Sequence, residues 1–283
     1  MTAPPLVDIG INLAHESYDP DRAEVLARAR AAGLVHLVVT GATLASSAAA
    51  ADLAAAAPAY LSATAGVHPH HAAEFTASEV PLLRELVGRA GVRAVGECGL
   101  DYFRDLAPRA VQRRAFELQL GVAVDCGRSL FLHQRDAHED FIAVLRSLGA
   151  ALPPAVAHCF TGTRAEAEAY LEMGLHIGIT GWACDERRGS HLLEVVRHIP
   201  AERLMLETDG PYLLPRTLRP KPSHRRNEPA FLTEVCRVLA AARGEPEAAL
   251  AAATTRTAAR FFGLPGISPI DTNKRSQPAV SES

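Results

Sequence analysis

Lysine is nearly missing from this chain. Of 29 basic residues only Lys221 and Lys274 are lysines, so the positive charge is almost wholly arginine. With the richness in alanine, this is a mark of base composition and carries no function. Aromatic residues are also scarce, at 5% with a single tryptophan, which leaves few platforms for stacking on nucleobases. The five cysteines, Cys98, Cys126, Cys159, Cys184 and Cys236, are an odd, widely spaced set with no C-x-x-C pair. That excludes a disulfide framework and a thiolate zinc site, and it fits free, buried thiols in a reducing cytosol. No apolar run reaches the roughly 18–20 residues that cross a bilayer, and residues 1–5 lack the basic and apolar regions of a signal peptide. A cytoplasmic location and no membrane partner are expected. Charge of one sign is missing as well: 29 basic residues stand against 32 acidic ones, a net charge of −3. A nucleic acid could therefore be met only through a local patch.

What is present is a repeat. The 283 residues are 48% hydrophobic, enough for a full core, which excludes wholesale disorder. Eight apolar, β-branched runs recur at near-even spacing, over residues 6–13, 35–40, 60–67, 92–97, 130–133, 155–158, 176–180 and 203–208. Segments with helical apolar spacing lie between them, such as residues 22–32, 80–90, 109–124 and 141–148. Several close on glycine, at Gly33, Gly91 and Gly149, where a left-handed cap is expected. Parallel strands need a helical crossover, so eight strand–helix units predict a single α/β domain of the TIM (β/α)8 barrel type over residues 1–263. The alternative, an open doubly wound sheet, usually carries a Gly-rich phosphate loop after its first strand, and none is found here. The polar stretch over residues 264–283 reads as a disordered tail without chemistry.

Polar residues gather where the strands end. Asp8, Gly10 and Asn12 close the first; His68, His70 and His71 follow the third; Glu97, His133, His158 and Asp209 end the fourth, fifth, sixth and eighth. In a barrel these ends share one face, the face that carries active sites in this fold. Any one of them alone reads as a hydrogen-bonded core residue. Carboxylates and imidazoles at five strand ends are costly to bury together unless a cation neutralises the acids. Imidazole with carboxylate suits Zn²⁺, Mn²⁺ or Fe²⁺, which predicts a metal site on this face.

Four motifs in order, Gly66-Val67-His68-Pro69-His70, Gly96-Glu97-Cys98-Gly99-Leu100-Asp101, His158-Cys159-Phe160-Thr161-Gly162 and Glu207-Thr208-Asp209-Gly210-Pro211-Tyr212-Leu213, resemble those of the TatD family of metal-dependent deoxyribonucleases. The resemblance runs from residue 6 to residue 263. Ile179-Thr180-Gly181-Trp182, Cys184-Asp185-Glu186-Arg187-Arg188-Gly189 and Arg225-Arg226-Asn227-Glu228-Pro229 are similar to the branch that gives the family its name. It implies that Glu97 bridges two metals, that His133 and His158 complete the shell of one, and that Asp209 lies at the other and takes a proton from the nucleophilic water. In the wider family an H-x-H pair opens the first strand, where this chain has Gly10 and Asn12, a replacement that looks typical of the branch. That leaves the second ion Glu97, Asp209, water and Asn12 as a weak oxygen ligand. Such a shell suits Mg²⁺, or Mn²⁺, better than tightly held Zn²⁺, with one ion retained and the other arriving with substrate.

Other residues carry weaker signals. His68 is a catalytic candidate, at the scissile phosphate or the nucleophilic water, or else a hydrogen-bonded support. His70 and His71 read as loop residues. Asp101 orients a histidine or caps its loop. Arg135 reaches a phosphate bidentately, or pairs with Asp136 or Glu139. Residues 211–227 hold Arg216, Arg219, Lys221, His224, Arg225 and Arg226 and no acid; Arg225 and Arg226 are the substrate-binding candidates of this rim. The aromatic candidates near the strand ends are Tyr102, Phe103, Trp182 and Tyr212. The resemblance implies a barrel of metal-dependent hydrolase type acting as a 3′→5′ exonuclease on single-stranded DNA, with RNA as a further substrate, in DNA repair or fragment degradation; a monomer is expected. Two other readings stay open: a hydrolase of small esters or amides, and a non-catalytic metal-binding protein.

Overall fold

Each apolar run of the sequence forms a strand, and each strand pairs with the next in chain order. A computed structural model describes residues 5–267. The strands are β1 (Leu6–Ile11), β2 (Leu34–Val39), β3 (Leu61–Ala65), β4 (Val92–Asp101), β5 (Ser129–Arg135), β6 (Ala155–Ala157), β7 (His176–Ile179) and β8 (Leu204–Leu206), in one parallel sheet of order 1 to 8. The crossovers hold α1 (Arg22–Ala31), α2 (Leu44–Ala56), α3 (Val80–Gly88), α4 (Arg109–Cys126), α5 (His138–Ser147), α6 (Arg164–Glu172) and α7 (Leu192–His198), followed by α8 (Leu232–Arg243) and α9 (Glu247–Phe262). Gly33 and Gly149 take positive φ directly after the caps of α1 and α5, as expected; Gly91 also has positive φ but lies two residues beyond the α3 cap, Arg89, whose backbone is extended.

The seam between β8 and β1 is closed mainly at its upper end. Asp209 N donates to Gly10 O at 2.8 Å and Asn12 N to Gly210 O at 2.9 Å, and Ile11 bridges to Gly210. Lower down, the buried Asp8 carboxylate accepts from Thr208 N at 3.0 Å and from the Thr208 hydroxyl. Burial pushes the Asp8 carboxyl up to about 7 against these hydrogen bonds.

Two apolar layers follow from the alternation of side chains along the strands. The larger lies between strands and helices. The smaller fills the barrel itself: Val7, Ile9, Val38, Ala94, Phe131, Val156 and Met205 meet Ala258, Ala259, Phe262 and Leu264 from α9 and the turn after it. α9 crosses the end where the strands begin. Thr255 Oγ1 donates to Pro5 O at 2.8 Å, Thr257 Oγ1 to Ala201 O at 3.1 Å, and the Phe261 ring lies 5.0 Å from His176. Leu264 is buried against this interior and Ile267 packs beside it, so the packed part runs past residue 263, where the sequence placed its end. The rest of the expected tail, residues 268–283, lies outside the described residues. No described helix is long and apolar enough to cross a membrane.

Candidate metal centre at the barrel mouth

β4 does not stop at Glu97, as the sequence suggested, but continues to Asp101. Its pairing with β5 shifts between Val95 and Cys98, an irregularity that re-aims a side chain, and Glu97 sits within it. Its carboxylate lies over the apolar filling of the barrel, where Phe131 stacks on His158 at 4.5 Å.

Three imidazoles converge on one oxygen of Glu97. Oε1 is 2.7 Å from His158 Nε2, 2.9 Å from His133 Nδ1 and 3.3 Å from His68 Nε2. His68, Glu97 and His133 offer ligand atoms close enough to share one ion. Burial would raise the Glu97 carboxyl, but His158 and His68 hold it well below its ordinary value. Burial would lower His158, yet Glu97 and Glu207 raise it well above the usual range; His133 is raised likewise by Asp101 and Glu97 against burial. His68 goes the other way, pushed down to about 4 by burial.

The His133 Nε2 atom is buried with no hydrogen-bond partner, 3.6 Å from Asp101 Oδ2. An orphaned imidazole nitrogen beside a carboxylate surrounded by imidazoles is the donor chemistry of a divalent-metal site, and the residues present fit one.

Asp209 joins from the other side of the mouth. It adopts φ 53°, a left-handed backbone that costs about 1–2 kcal/mol for most residues and less for Asp. Asn12 Nδ2 donates to its Oδ1 at 3.1 Å and to Gly210 O at 3.2 Å. Asn12 thus offers Asp209 an N–H donor through its amide nitrogen. Burial pushes the Asp209 carboxyl up to about 7, with His158 opposing and Glu97 adding to the rise.

The sequence reading passed over two residues. His70, taken for a loop residue, lies with its Nε2 2.6 Å from Asp101 Oδ2, so Asp101 faces both His70 and His133. Glu207 is fully buried, with Oε2 3.1 Å from His158 Nδ1 and Oε1 accepting from Cys159 N. It needs room: a Cβ at Gly10 would collide with its Oε2, and one at Gly178 with its Oε1. The available signal was proximity, since Glu207 stands two residues before Asp209 in the motif that follows β8.

The basic rim is less free than its composition suggests. Arg226 donates to Asp21 Oδ1 and Oδ2, both at 2.7 Å, and to Ser17 O at 2.6 Å. Its guanidinium is a strut to α1, not a free phosphate contact, because the acid partner comes from 205 positions away. Arg216 pairs with Glu186 at 2.9 Å. Arg225 is exposed and has no ion-pair partner among the described residues; it lines a groove of about 490 Å³ with Trp182, Arg187, Arg188 and Arg216. Arg135 pairs with neither Asp136 nor Glu139. Its guanidinium lies 4.5 Å from the Phe103 ring centre and 5.0 Å from that of Trp182. A second cleft, of about 290 Å³, opens beside His158, lined by Gln134, Thr161, Glu166 and Tyr170.

Comparison with known proteins adds a second line. The family model described as TatD related DNase matches residues 7–263. The 3′-5′ ssDNA/RNA exonuclease TatD of Pantoea ananatis is 49% identical over 259 residues, covering 92% of this chain and 100% of that protein. Among solved structures, a TatD homolog from Escherichia coli K12 superposes with a TM-score of 0.83 at 26% identity, over 92% of this chain and 98% of that one. A TatD family hydrolase from Entamoeba histolytica gives 0.82 at 25% identity, over 93% and 99%.

Proposed function

The chain belongs to the family of TatD-related DNases, and on that footing we propose that it is a divalent-metal-dependent nuclease. It removes nucleotides from the 3′ end of single-stranded DNA, with RNA as a second substrate and Mg²⁺ as the working ion. The observation that carries the reading is the convergence of His68, His133 and His158 on a single oxygen of Glu97. The curated relatives' name, 3′-5′ ssDNA/RNA exonuclease, supports the substrate and polarity.

Glu97, His133 and His158 would hold the ion, which when bound would neutralise charge on the phosphoryl oxygens and make water a stronger nucleophile. Asp209 accepts the water's proton at Oδ2, since Asn12 holds Oδ1, and its raised carboxyl affinity suits a base working near neutral pH. His68, beside Glu97, hydrogen-bonds the scissile phosphate. Asp101 and Glu207 keep His133 and His158 turned toward Glu97. Arg225 and the N–H edge of Arg135 meet the flanking phosphates.

The test is digestion of end-labelled single- and double-stranded oligonucleotides with Mg²⁺, Mn²⁺ or Zn²⁺, beside Glu97→Ala and a panel of small esters and amides. The expected result is stepwise shortening from the 3′ end of the single strand with Mg²⁺, lost in Glu97→Ala. Turnover confined to the small esters, or cleavage untouched by the substitution, would sink the nuclease reading.

A further inference from the structure

Phe103 is 57% exposed at the edge of the mouth. Its position is fixed by what lies beside it. Asp101, the last residue of β4, pairs in register with Arg135 at the end of β5, and Arg135 stands two residues after His133, so both side chains leave β5 on the same face. The Arg135 guanidinium bridges Phe103 and Trp182, and Arg188 lies 4.4 Å from the Trp182 ring centre. Arg104 approaches Phe103 only loosely, at 5.9 Å. No hydrogen bond or ion pair of the Arg135 side chain is present among the described residues. The result is a run of alternating rings and guanidinium groups along the rim over the loops after β4, β5 and β7. One end is an open aromatic face at Phe103. The other is the arginine-lined groove that Trp182 and Arg188 share with Arg225.

Ordinary packing does not account for this. An exposed phenylalanine held in place by an arginine that pairs with no acid, although acids are adjacent in sequence, presents a flat apolar face and a row of free N–H donors side by side. That combination matches a nucleotide, whose base offers a π-face and whose phosphate offers acceptors. Resting on the nuclease reading above, we propose that Phe103, backed by Arg135 and Trp182, is a nucleobase platform. It seats one unpaired base of the strand being cut while the Arg135 N–H edge takes the adjoining phosphate. Every base has a π-face, so the platform registers that a base is present and unstacked rather than which base it is. A base inside a duplex would first have to leave its neighbours, at a cost of a few kcal/mol.

Single-stranded oligothymidylates decide it, compared with strands of equal length in which one nucleotide near the 3′ end is a tetrahydrofuran abasic unit, moved position by position. Wild type should cut the base-bearing strand faster by about 5- to 100-fold at one position of the abasic unit, the range expected for a single base–aromatic stack. The difference should lie mainly in KM. Phe103→Ala should slow the base-bearing strand to the abasic rate and leave the abasic rate within about twofold; Phe103→Trp should keep the preference. A wild-type enzyme that cuts both strands equally, or a preference that survives Phe103→Ala, overturns the platform while leaving the nuclease reading intact. Failure to cut either strand overturns the nuclease reading itself.

Discussion

Gly10 is a small residue with a large consequence. It stands near the end of β1, where glycine weakens a strand, at the point where the wider family has the first histidine of its pair. Its missing side chain leaves the space that the Glu207 carboxylate fills, and Gly178 completes the cradle. Glu207 then takes the Nδ1 side of His158, leaving Nε2 to face Glu97. Gly10→Ala and Glu207→Gln should therefore fail in the same way, with divalent-ion affinity and turnover falling together by about 10- to 100-fold. Titration calorimetry beside the nuclease assay checks this, and unchanged ion affinity in both variants would refute the coupling. The individual candidate ligands could be picked out in the sequence because each stands at the end of an apolar run. The wedge was not, since nothing in linear spacing says that a glycine in one strand and a glutamate 197 positions later occupy one space.

At the scale of elements, the eight strands could be read from spacing and β-branched content, and their order followed from the crossover rule. What could not be read was the irregularity that carries β4 past Glu97 to Asp101, or the acids that disarm the basic loop. Arg226 and Asp21, with Arg28 and Glu228 beside them, tie the end of that loop to α1; Arg28 Nε donates to Glu228 Oε1 at 2.8 Å and its Nη2 to Oε2 at 2.7 Å. Asp21 is held down to about 2 by its bonds to Arg226. A depressed carboxylate stabilises the fold above its unfolded value and loses that contribution as pH falls through the folded one, here between about 4 and 2. Arg226→Ala should cost on the order of 1 kcal/mol of stability by urea denaturation at pH 7 and leave KM for single-stranded DNA nearly unchanged. Arg225→Ala should do the reverse, raising KM with stability unmoved. An equal rise in KM for both would return Arg226 to the substrate path.

For the whole molecule, a net charge of −3 means that long-range attraction of a polyanion rests on the few cations left unpaired at the mouth. Arg216 and Arg226 are already paired with acids, which leaves Arg219, whose side chain meets only backbone carbonyls, Lys221 and Arg225 in the loop, with Arg135 beside them, among the described residues. Each phosphate contact to a single strand contributes about −0.7 to the slope of log affinity against log salt. The expected slope is between about −1 and −3, shallower than five free charges in residues 211–227 would give. Measuring KM for an oligonucleotide across a salt series reads this directly, and a slope beyond about −3.5 would mean that the ion pairs open to admit substrate.

The position of α9 has a temporal consequence. All eight strands precede it in the chain, yet the seven inward-facing side chains of the barrel meet their apolar floor only when Ala258, Ala259, Phe262 and Leu264 arrive. On the ribosome, every part of the catalytic rim is translated while the centre of the cylinder is still wet from below. The nascent chain acquires a sealed interior, and with it a firm seat under Phe131 and His158, only at the last turns of its final described helix.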